Sequence, residues 1–345
     1  LADLDSRLVK SYRLPYHSKI QHPPNEFLVN PDGSILFPLG GVLMHLDPDT
    51  NAAMGLDFSH VGLDGLQIYA VEKTADQSIW LGTDDGLLRI FPNPEQHLRT
   101  SQLQASTSAQ PLAFPVFKAK TALYKTNPSN PKSLRHNFTV SLLTDPKDAN
   151  ILWVATKGGG LNAFDIRTGQ FTHIPTPDNV IYGILPDHAG NLWLSSNKGL
   201  IRYHPKTGTI KSFHKSDGLQ DDEFNTSAFA KDGNGFLYFG GVNGMNVFDP
   251  AHIKTNPNRP KVRFTGLIIN DKPVEAGDST GILKENIVFC KSITLPFHQN
   301  NITLEFAALE FTAPSKNQYK YWLKGLEKKK EIHLSTEPQA TYFSL

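Results

Sequence analysis

One alternation of apolar and turn-forming residues recurs along this chain. Residues 78–91 read SIWLGTDDGLLRIF, 151–165 ILWVATKGGGLNAFD, 191–204 NLWLSSNKGLIRYH and 236–249 FLYFGGVNGMNVFD, with a weaker copy, SILFPLGGVLMHLD, at 34–47. Each copy is a bulky apolar strand, a tight turn containing Gly, and a second strand ending in Asp or another polar residue. Self-similarity at a period of about 40–50 residues marks a propeller or solenoid.

The flanks complete the unit. Turn-forming clusters rich in Asp, Asn and Gly precede the aromatic strands at 30–33, 75–77, 145–148, 187–190 and 231–235, residue types that tolerate the positive φ of hairpin turns. Ahead of each turn the pattern predicts another strand, at 26–29, 68–72, 140–144, 181–186 and 227–230. Hairpin signals at 167–169 and 206–208 lead into further strands at 170–174 and 209–214. Four antiparallel strands per unit is the make-up of a propeller blade. Five units are legible in residues 1–252. Because the chain begins within the pattern, further blades are expected before Leu1.

Trp80, Trp153, Trp193 and Tyr238 fall at equivalent positions. The last three are spaced 40 and 45 residues apart, one blade each, whereas Trp80 and Trp153 are 73 apart. The excess predicts an insertion at about 97–135, where the sequence turns polar and rich in Pro, Ser and Gln. Because the aromatic position repeats whatever the loops contain, these rings read as wedges between blades rather than as a ligand platform. After Asn256-Pro257 and Pro260 the period is lost. Ile302 to Phe306 alternates with period two, and Tyr319 and Tyr321 fall on one strand face. The expected organisation is all-β: blades over 1–255, then a β-sandwich over 256–345.

Composition narrows the function. The 345 residues carry 34 Lys+Arg against 33 Asp+Glu, a net charge of +1, with no basic stripe for nucleic acid. One cysteine, Cys290, excludes an internal disulfide framework and any Cys-based zinc site. No apolar run approaches the ~18 residues of a membrane span. The 13 histidines show no HExxH spacing, and neither a nucleophile elbow nor a phosphate loop ahead of a helix is present. Gly158–Gly160 lies between two strands and reads as a hairpin turn. No cofactor, metal or catalytic residue is expected.

The repeats resemble the two-component regulator propeller repeat of bacterial hybrid two-component sensors. The resemblance rests on residues 130–171 and on DGLQDDEFNTSAFAKDGNGFLYFGGVNGMNVFDPAHI at 217–253. The latter looks like the last blade before the Tyr-rich sandwich often called the Y_Y_Y domain. Residues 261–345 then carry that module's features: Asn301, the aromatic strand with Phe306 and Phe311, and Tyr319-x-Tyr321-x-Leu323-x-Gly325. The module would continue beyond Leu345 by at least one strand.

Blade topology indicates where a ligand would sit. The turn joining the second and third strands lies at the same end as the connection into the next blade's first strand. Two sets therefore converge on one rim of the central channel. Gln67, Asn137, Asn179 and Asn225 belong to the connections, with Asp221, Asp222 and Glu223 nearby. Asp84, Asp85, Lys157, Asn197, Lys198 and Asn243 belong to the turns. Amides with mixed charges suit hydroxyl-rich ligands; the alternative is that the amides cap backbone groups at strand entrances.

The resemblance implies a non-catalytic, periplasmic sensing region of an inner-membrane protein. Its expected ligand is an oligosaccharide, its expected partner a second copy through the C-terminal sandwich, and its membrane anchor and output domain lie outside this chain. A propeller lyase or glycan-active enzyme, or a protein-interaction platform, are the alternatives.

Overall fold

The computed structural model describes residues 2–3, 8–9, 26–47, 52–56, 65–92, 120–253, 260–309, 317–325 and 333–345. The chain divides into two compact units, Leu1–Ile253 and Lys254–Leu345.

Among the described residues of the first unit, five antiparallel meanders follow one another. Blade 1 comprises Leu28–Val29, Ile35–Leu39, Val42–Asp47 and Ala52–Leu56. Blade 2 comprises Ile68–Lys73, Ile79–Thr83, Gly86–Ile90 and Thr121–Tyr124. Blade 3 runs through Thr139–Thr144, Ile151–Thr156, Gly160–Asp165 and Gln170–Ile174. Blade 4 runs through Ile181–Pro186, Leu192–Ser196, Gly199–His204 and Thr209–Phe213. Blade 5 has Phe224–Lys231, Leu237–Gly241 and Gly244–Phe248. The first strands of successive blades lie side by side, as strands nearest a propeller axis do.

Two expectations are corrected. Blade 5 is three-stranded among the described residues, because Asp249 caps a 3-10 turn, Pro250–His252, where a fourth strand would start. The insertion expected at about 97–135 is shorter. Thr121–Tyr124 pairs with Leu87–Ile90 as the outer strand of blade 2, and Leu134 is buried between blades 2 and 3. Residues 93–119 lie outside the described residues.

The second and third strands are buried on both faces, so their sequences run apolar where a half-exposed strand would alternate. Leu36, Leu81, Leu88 and Ile90 fill the gap between blades 1 and 2. In later gaps an aromatic ladder does the same work. Trp80 meets Phe164 at 5.3 Å, Trp153 meets Tyr203 at 5.9 Å and Trp193 meets Phe248 at 4.9 Å between ring centroids. Each ring of one blade lies against the fifth residue of the next blade's third strand. The wedge reading of these aromatics holds.

Each of these aromatics also ties down the turn at the start of its strand. Trp80 Nε1 donates to Thr74 Oγ1 at 3.0 Å, Trp153 to Asp145 at 2.8 Å, Trp193 to Asp187 at 2.9 Å, and Tyr238 Oη to Asp232 at 3.2 Å. The other carboxylate oxygen holds the turn backbone, as when Asp187 Oδ1 accepts the Asn191 N–H at 2.9 Å. At the far end the turn between second and third strands needs glycine. Gly199 has φ +92°, and a Cβ there would lie 2.0 Å from the Phe213 carbonyl oxygen.

The second unit has one sheet in the order Lys272–Pro273, Val262–Ile269, Ile302–Ala308 and Gln339–Tyr342, and a separate pair, Tyr319–Tyr321 with His333–Ser335. Tyr319 and Tyr321 do share a face. Both meet Phe306 edge to face, at 5.0 and 5.8 Å, and Tyr319 Oη accepts the Ala308 N–H at 3.3 Å. They act as packing and hydroxyl anchors.

Two glutamates bridge first strands. Glu26 Oε2 accepts the Val71 N–H at 3.2 Å, and Glu72 Oε1 accepts the Thr144 N–H at 2.8 Å. Burial raises both carboxyls above the ordinary glutamate value of 4.5, and Glu72 raises Glu26 further by charge repulsion.

Replacing Thr74 by Val keeps the shape but strands the buried Trp80 N–H. Denaturant unfolding should show a loss of about 1–3 kcal/mol, smaller in a Trp80→Phe background that has no N–H to strand, where what remains is the lost donation of Thr74 Oγ1 to Asp76 Oδ1 at 2.6 Å. A folded-state carboxyl raised in this way favours the protonated form, so its stabilising contribution is full below the ordinary glutamate value and is lost as pH rises through the raised one. Glu72→Gln should therefore melt above the parent at pH ~8, with the gap closing below the ordinary glutamate value. A gap independent of pH would refute this account of Glu72.

Candidate functional site

The connections into the first strands and the turns between second and third strands do meet at one end of the blades. Within blade 2, the Gln67 N–H donates to Asp84 Oδ1 at 3.0 Å and the Asp84 N–H to the Gln67 carbonyl at 3.2 Å. Lys157 N donates to the Phe138 carbonyl at 2.8 Å, and Val242 N to that of Glu223 at 3.2 Å. The same end is stitched across blades. The Asn179 carbonyl accepts from Gly158 N at 2.9 Å and Gly160 N at 2.7 Å, and the Asp222 carbonyl from Gly199 N at 2.7 Å.

Several of the expected ligand contacts are occupied in holding this end together. The Asn137 carboxamide accepts the Thr126 N–H at 2.8 Å and donates to Asp85 at 3.2 Å, while Asp85 also pairs with Lys125. Asn243 is bound through both backbone and side chain to Gln220, at 2.6 and 3.2 Å. Asp222 Oδ1 accepts the Lys215 N–H at 2.7 Å, and Asp221 pairs with the Lys215 ammonium at 3.1 Å. These are capping roles. Asn179, Glu223, Asn225 and Lys198 are exposed, and their side-chain ends make no hydrogen bond among the described residues. Gln67 Oε1 is buried without a hydrogen-bond partner.

Between the amides runs an aromatic ledge that the amide pattern alone does not reveal. Tyr69 of blade 2 meets Phe138 of blade 3 at 4.9 Å. The Lys157 ammonium lies 4.9 Å from the Phe138 ring and 5.4 Å from Tyr182 of blade 4, within cation–π range. Tyr182 Oη donates to Asn197 Oδ1 at 2.7 Å, and the Asn197 N–H to the buried Asp178 at 3.0 Å. The ledge thus continues Tyr69, Phe138, Lys157, Tyr182, Asn197 across three blades. All but the exposed Asn197 are half-buried.

A recurring bulge builds it. The ladder of the first and second strands shifts register between Ile68 and Ala70, between Thr139 and Ser141, and between Ile181 and Gly183. The extra residues are Tyr69, Val140 and Tyr182. A bulge re-aims a side chain out of the ladder, so Tyr69 and Tyr182 are placed at the rim by backbone geometry. An aromatic does stand within three residues of Gln67, Asn137, Asn179 and Asn225, but the pattern does not record which way it faces.

Burial shifts the titratable groups of the ledge toward their neutral forms. Burial pushes the Tyr69 hydroxyl up, with Asp84 adding to it. Burial likewise raises Tyr182, assisted by Glu223 and Asp178. Desolvation lowers the Lys157 ammonium. Aromatic faces, free amides and a partly desolvated cation together can hold a polyhydroxylated ring by its C–H face and its hydroxyls.

Comparison with known proteins gives the following. Residues 176–198 match the family described as two component regulator propeller, so the chain carries that repeat. It spans the connection into blade 4 and that blade's first two strands, including Asp178, Asn179, Tyr182, Trp193 and Asn197. Over 185 residues, 53% of this chain, it is 34% identical to histidine kinase P4 of Formosa agariphila, of which that stretch is 14%. The extracellular domain of a putative hybrid two component system from B. thetaiotaomicron aligns over 96% of this chain and 47% of its own, at 18% identity and TM-score 0.42. PorZ, a surface component of the type-IX secretion system of Porphyromonas gingivalis, aligns over 88% of this chain and 46% of its own, at 13% identity and TM-score 0.51. The likeness to PorZ is one of fold. The chain spans less than half of these two solved structures and 14% of the curated relative.

Proposed function

We propose, from the two-component regulator propeller repeat, that this chain is the ligand-sensing, non-catalytic part of a membrane-anchored two-component signalling protein, lying outside the cytoplasm. The 34% identity to a histidine kinase supports a signalling role. The ligand is an oligosaccharide, held on the rim ledge. The observation that carries this is the run of Tyr69, Phe138, Lys157 and Tyr182 across three blades, flanked by the exposed ends of Asn179, Asn225 and Lys198.

Signal transfer requires a ligand that prefers one arrangement of the protein over another, since equal affinity shifts no equilibrium. The arrangement is that of a dimer formed through the second unit, with the membrane anchor and output domain elsewhere in the protein.

Calorimetric titration with defined oligosaccharides, followed by recovery of the ligand, tests this reading. Saturable binding with intact ligand is expected for one glycan class. Tyr182→Ala and Lys157→Met should each weaken it by about tenfold or more, roughly the 1.4 kcal/mol of one lost stacking or cation–π contact. Cleaved ligand would make the protein an enzyme. Undiminished binding by both variants would remove the ledge from the site, and no binding to any glycan would favour a protein-interaction platform.

A further inference from the structure

The turns between second and third strands share one lock in blades 2, 3 and 4. The last residue of the second strand is Thr83, Thr156 or Ser196, each buried. Its hydroxyl donates to the carbonyl of the glycine that opens the third strand, Gly86, Gly160 or Gly199, at 2.8, 3.0 and 2.9 Å. It accepts the N–H of the residue just before that glycine, Asp85, Gly159 or Lys198, at 3.2, 3.0 and 3.0 Å.

Blade 5 departs from this rule. Its second strand ends at Gly241, which pairs with Gly244 at the head of the third strand and has no hydroxyl to offer. The side chain of Gln220 fills the space instead. A Cβ at Gly241 would lie 2.0 Å from Gln220 Nε2 and 2.4 Å from the Glu223 carbonyl oxygen, so only glycine leaves room for both. Gln220 Oε1 accepts the N–H of Asn243, the residue just before Gly244, at 2.6 Å. That is the same turn N–H that Thr83, Thr156 and Ser196 hold in their own blades. Gln220 Nε2 donates to the Glu223 carbonyl at 3.2 Å, and that carbonyl also takes the Val242 N–H at 3.2 Å. The Gln220 backbone is fastened as well. Its N–H donates to Asn246 Oδ1 at 3.0 Å, and its carbonyl accepts from Asn243 Nδ2 at 3.2 Å.

The replacement changes what the lock controls. In blades 2, 3 and 4 the hydroxyl reaches a turn N–H two or three residues away. In blade 5 the acceptor comes from 23 residues upstream, in the connection from blade 4. One carboxamide therefore clamps turn and connection to each other, and the clamp closes on the carbonyl of Glu223. Glu223 and Asn225 flank Phe224, the buried first residue of the first strand, and both are exposed at the rim.

We propose that Gln220 is a positioning residue: its carboxamide replaces the hydroxyl lock of the other blades and sets where Glu223 and Asn225 stand on the blade 5 side of the rim. The clamp follows from the hydrogen bonds and from the space at Gly241 alone. That the groups it positions bind ligand rests on the oligosaccharide reading above.

Two variants of the 345-residue protein separate the halves of the carboxamide. Gln220→Met keeps the length and removes donor and acceptor alike. Gln220→Glu keeps an acceptor for Asn243 and removes the donor to Glu223. After melting curves establish that each is folded, residue-resolved hydrogen exchange is read beside calorimetric titration with the same oligosaccharides. In Gln220→Met the Asn243 and Val242 amides should exchange at least about tenfold faster, while those of Asp85, Gly159 and Lys198 keep the parent rates. In Gln220→Glu the Asn243 amide should stay protected and Val242 alone should quicken. Both variants should bind the glycan at least about threefold more weakly than the parent. Parent-like exchange at Asn243 in Gln220→Met, or equal acceleration in all four turns, overturns the clamp. Faster exchange at Asn243 with unchanged glycan affinity overturns the positioning role. A parent that binds no glycan, with exchange still quickened at Asn243, would sink the rim reading and leave the clamp standing.

Discussion

The hydrogen bond from a second-strand aromatic to the first polar residue of its own turn is the constraint on which the propeller unit depends. In blades 3 and 4 it joins a Trp indole to an Asp carboxylate, in blade 2 an indole to a Thr hydroxyl, and in blade 5 a Tyr hydroxyl to an Asp. One contact settles three things. It satisfies a polar atom that the sheets would otherwise bury unpaired, at a cost of about 1–3 kcal/mol. It folds the turn around the second carboxylate oxygen. It also fixes the ring plane so that the indole meets Phe164, Tyr203 or Phe248 of the next blade. The same residue therefore specifies the hairpin within a blade and the packing between blades. Where the aromatic is missing, as at Leu36, aliphatic side chains such as Ile90 fill the gap.

This device also divides the labour between the two ends of the blades. It operates at the end where first strands turn into second strands, and there it uses up the carboxylates of Asp145 and Asp187. At that end the turns at 145–148, 187–191 and 205–206 wall a cleft of about 700 Å³ between blades 3 and 4, where Lys147 and Lys231 each donate to a backbone carbonyl. At the other end a hydroxyl does the equivalent work: Thr83, Thr156 and Ser196 each donate to the carbonyl of the glycine that opens the third strand and accept a turn N–H. Backbone bonds between connection and turn, such as those to Asn179 and Asp222, add to it. A bulge at the start of the first strand then turns Tyr69 and Tyr182 outward.

How far the sequence could be read follows from the same division. The lock repeats with the blade period, so Trp80, Trp153, Trp193 and Tyr238 were legible as equivalent positions without any coordinates, and the three Trp rings do wedge against the next blade. The convergence of connections and turns on one rim was legible too, because it follows from strand count alone. The ledge was not, since a one-residue bulge changes which side chain faces the rim and leaves no mark on a period-two pattern. Asn137 and Asn243 looked like free amides because their partners, Thr126 and Gln220, lie 11 and 23 residues away. The outer strand of blade 2 was read as insertion because residues 121–124 follow a polar stretch that hides the blade period. The cleft was invisible for a simpler reason: three separate turns and a lysine of a third blade build it, and no local pattern records their meeting.

The ledge draws its residues from blades 2, 3 and 4, and the cleft from blades 3, 4 and 5. Both therefore span a boundary between blades, and their shape depends on how neighbouring blades sit against one another. That angle is set by the aromatic ladder, whose rings are buried and closely fitted. Packed interfaces of this kind switch between discrete arrangements more readily than they bend. Trp153 belongs to both systems: its ring meets Tyr203 edge to face to join blades 3 and 4, and the residue also lines the cleft between them. The same ring therefore holds blades 3 and 4 in register and shapes the cleft at one end, while Lys157 and Tyr182 of those two blades meet at the other.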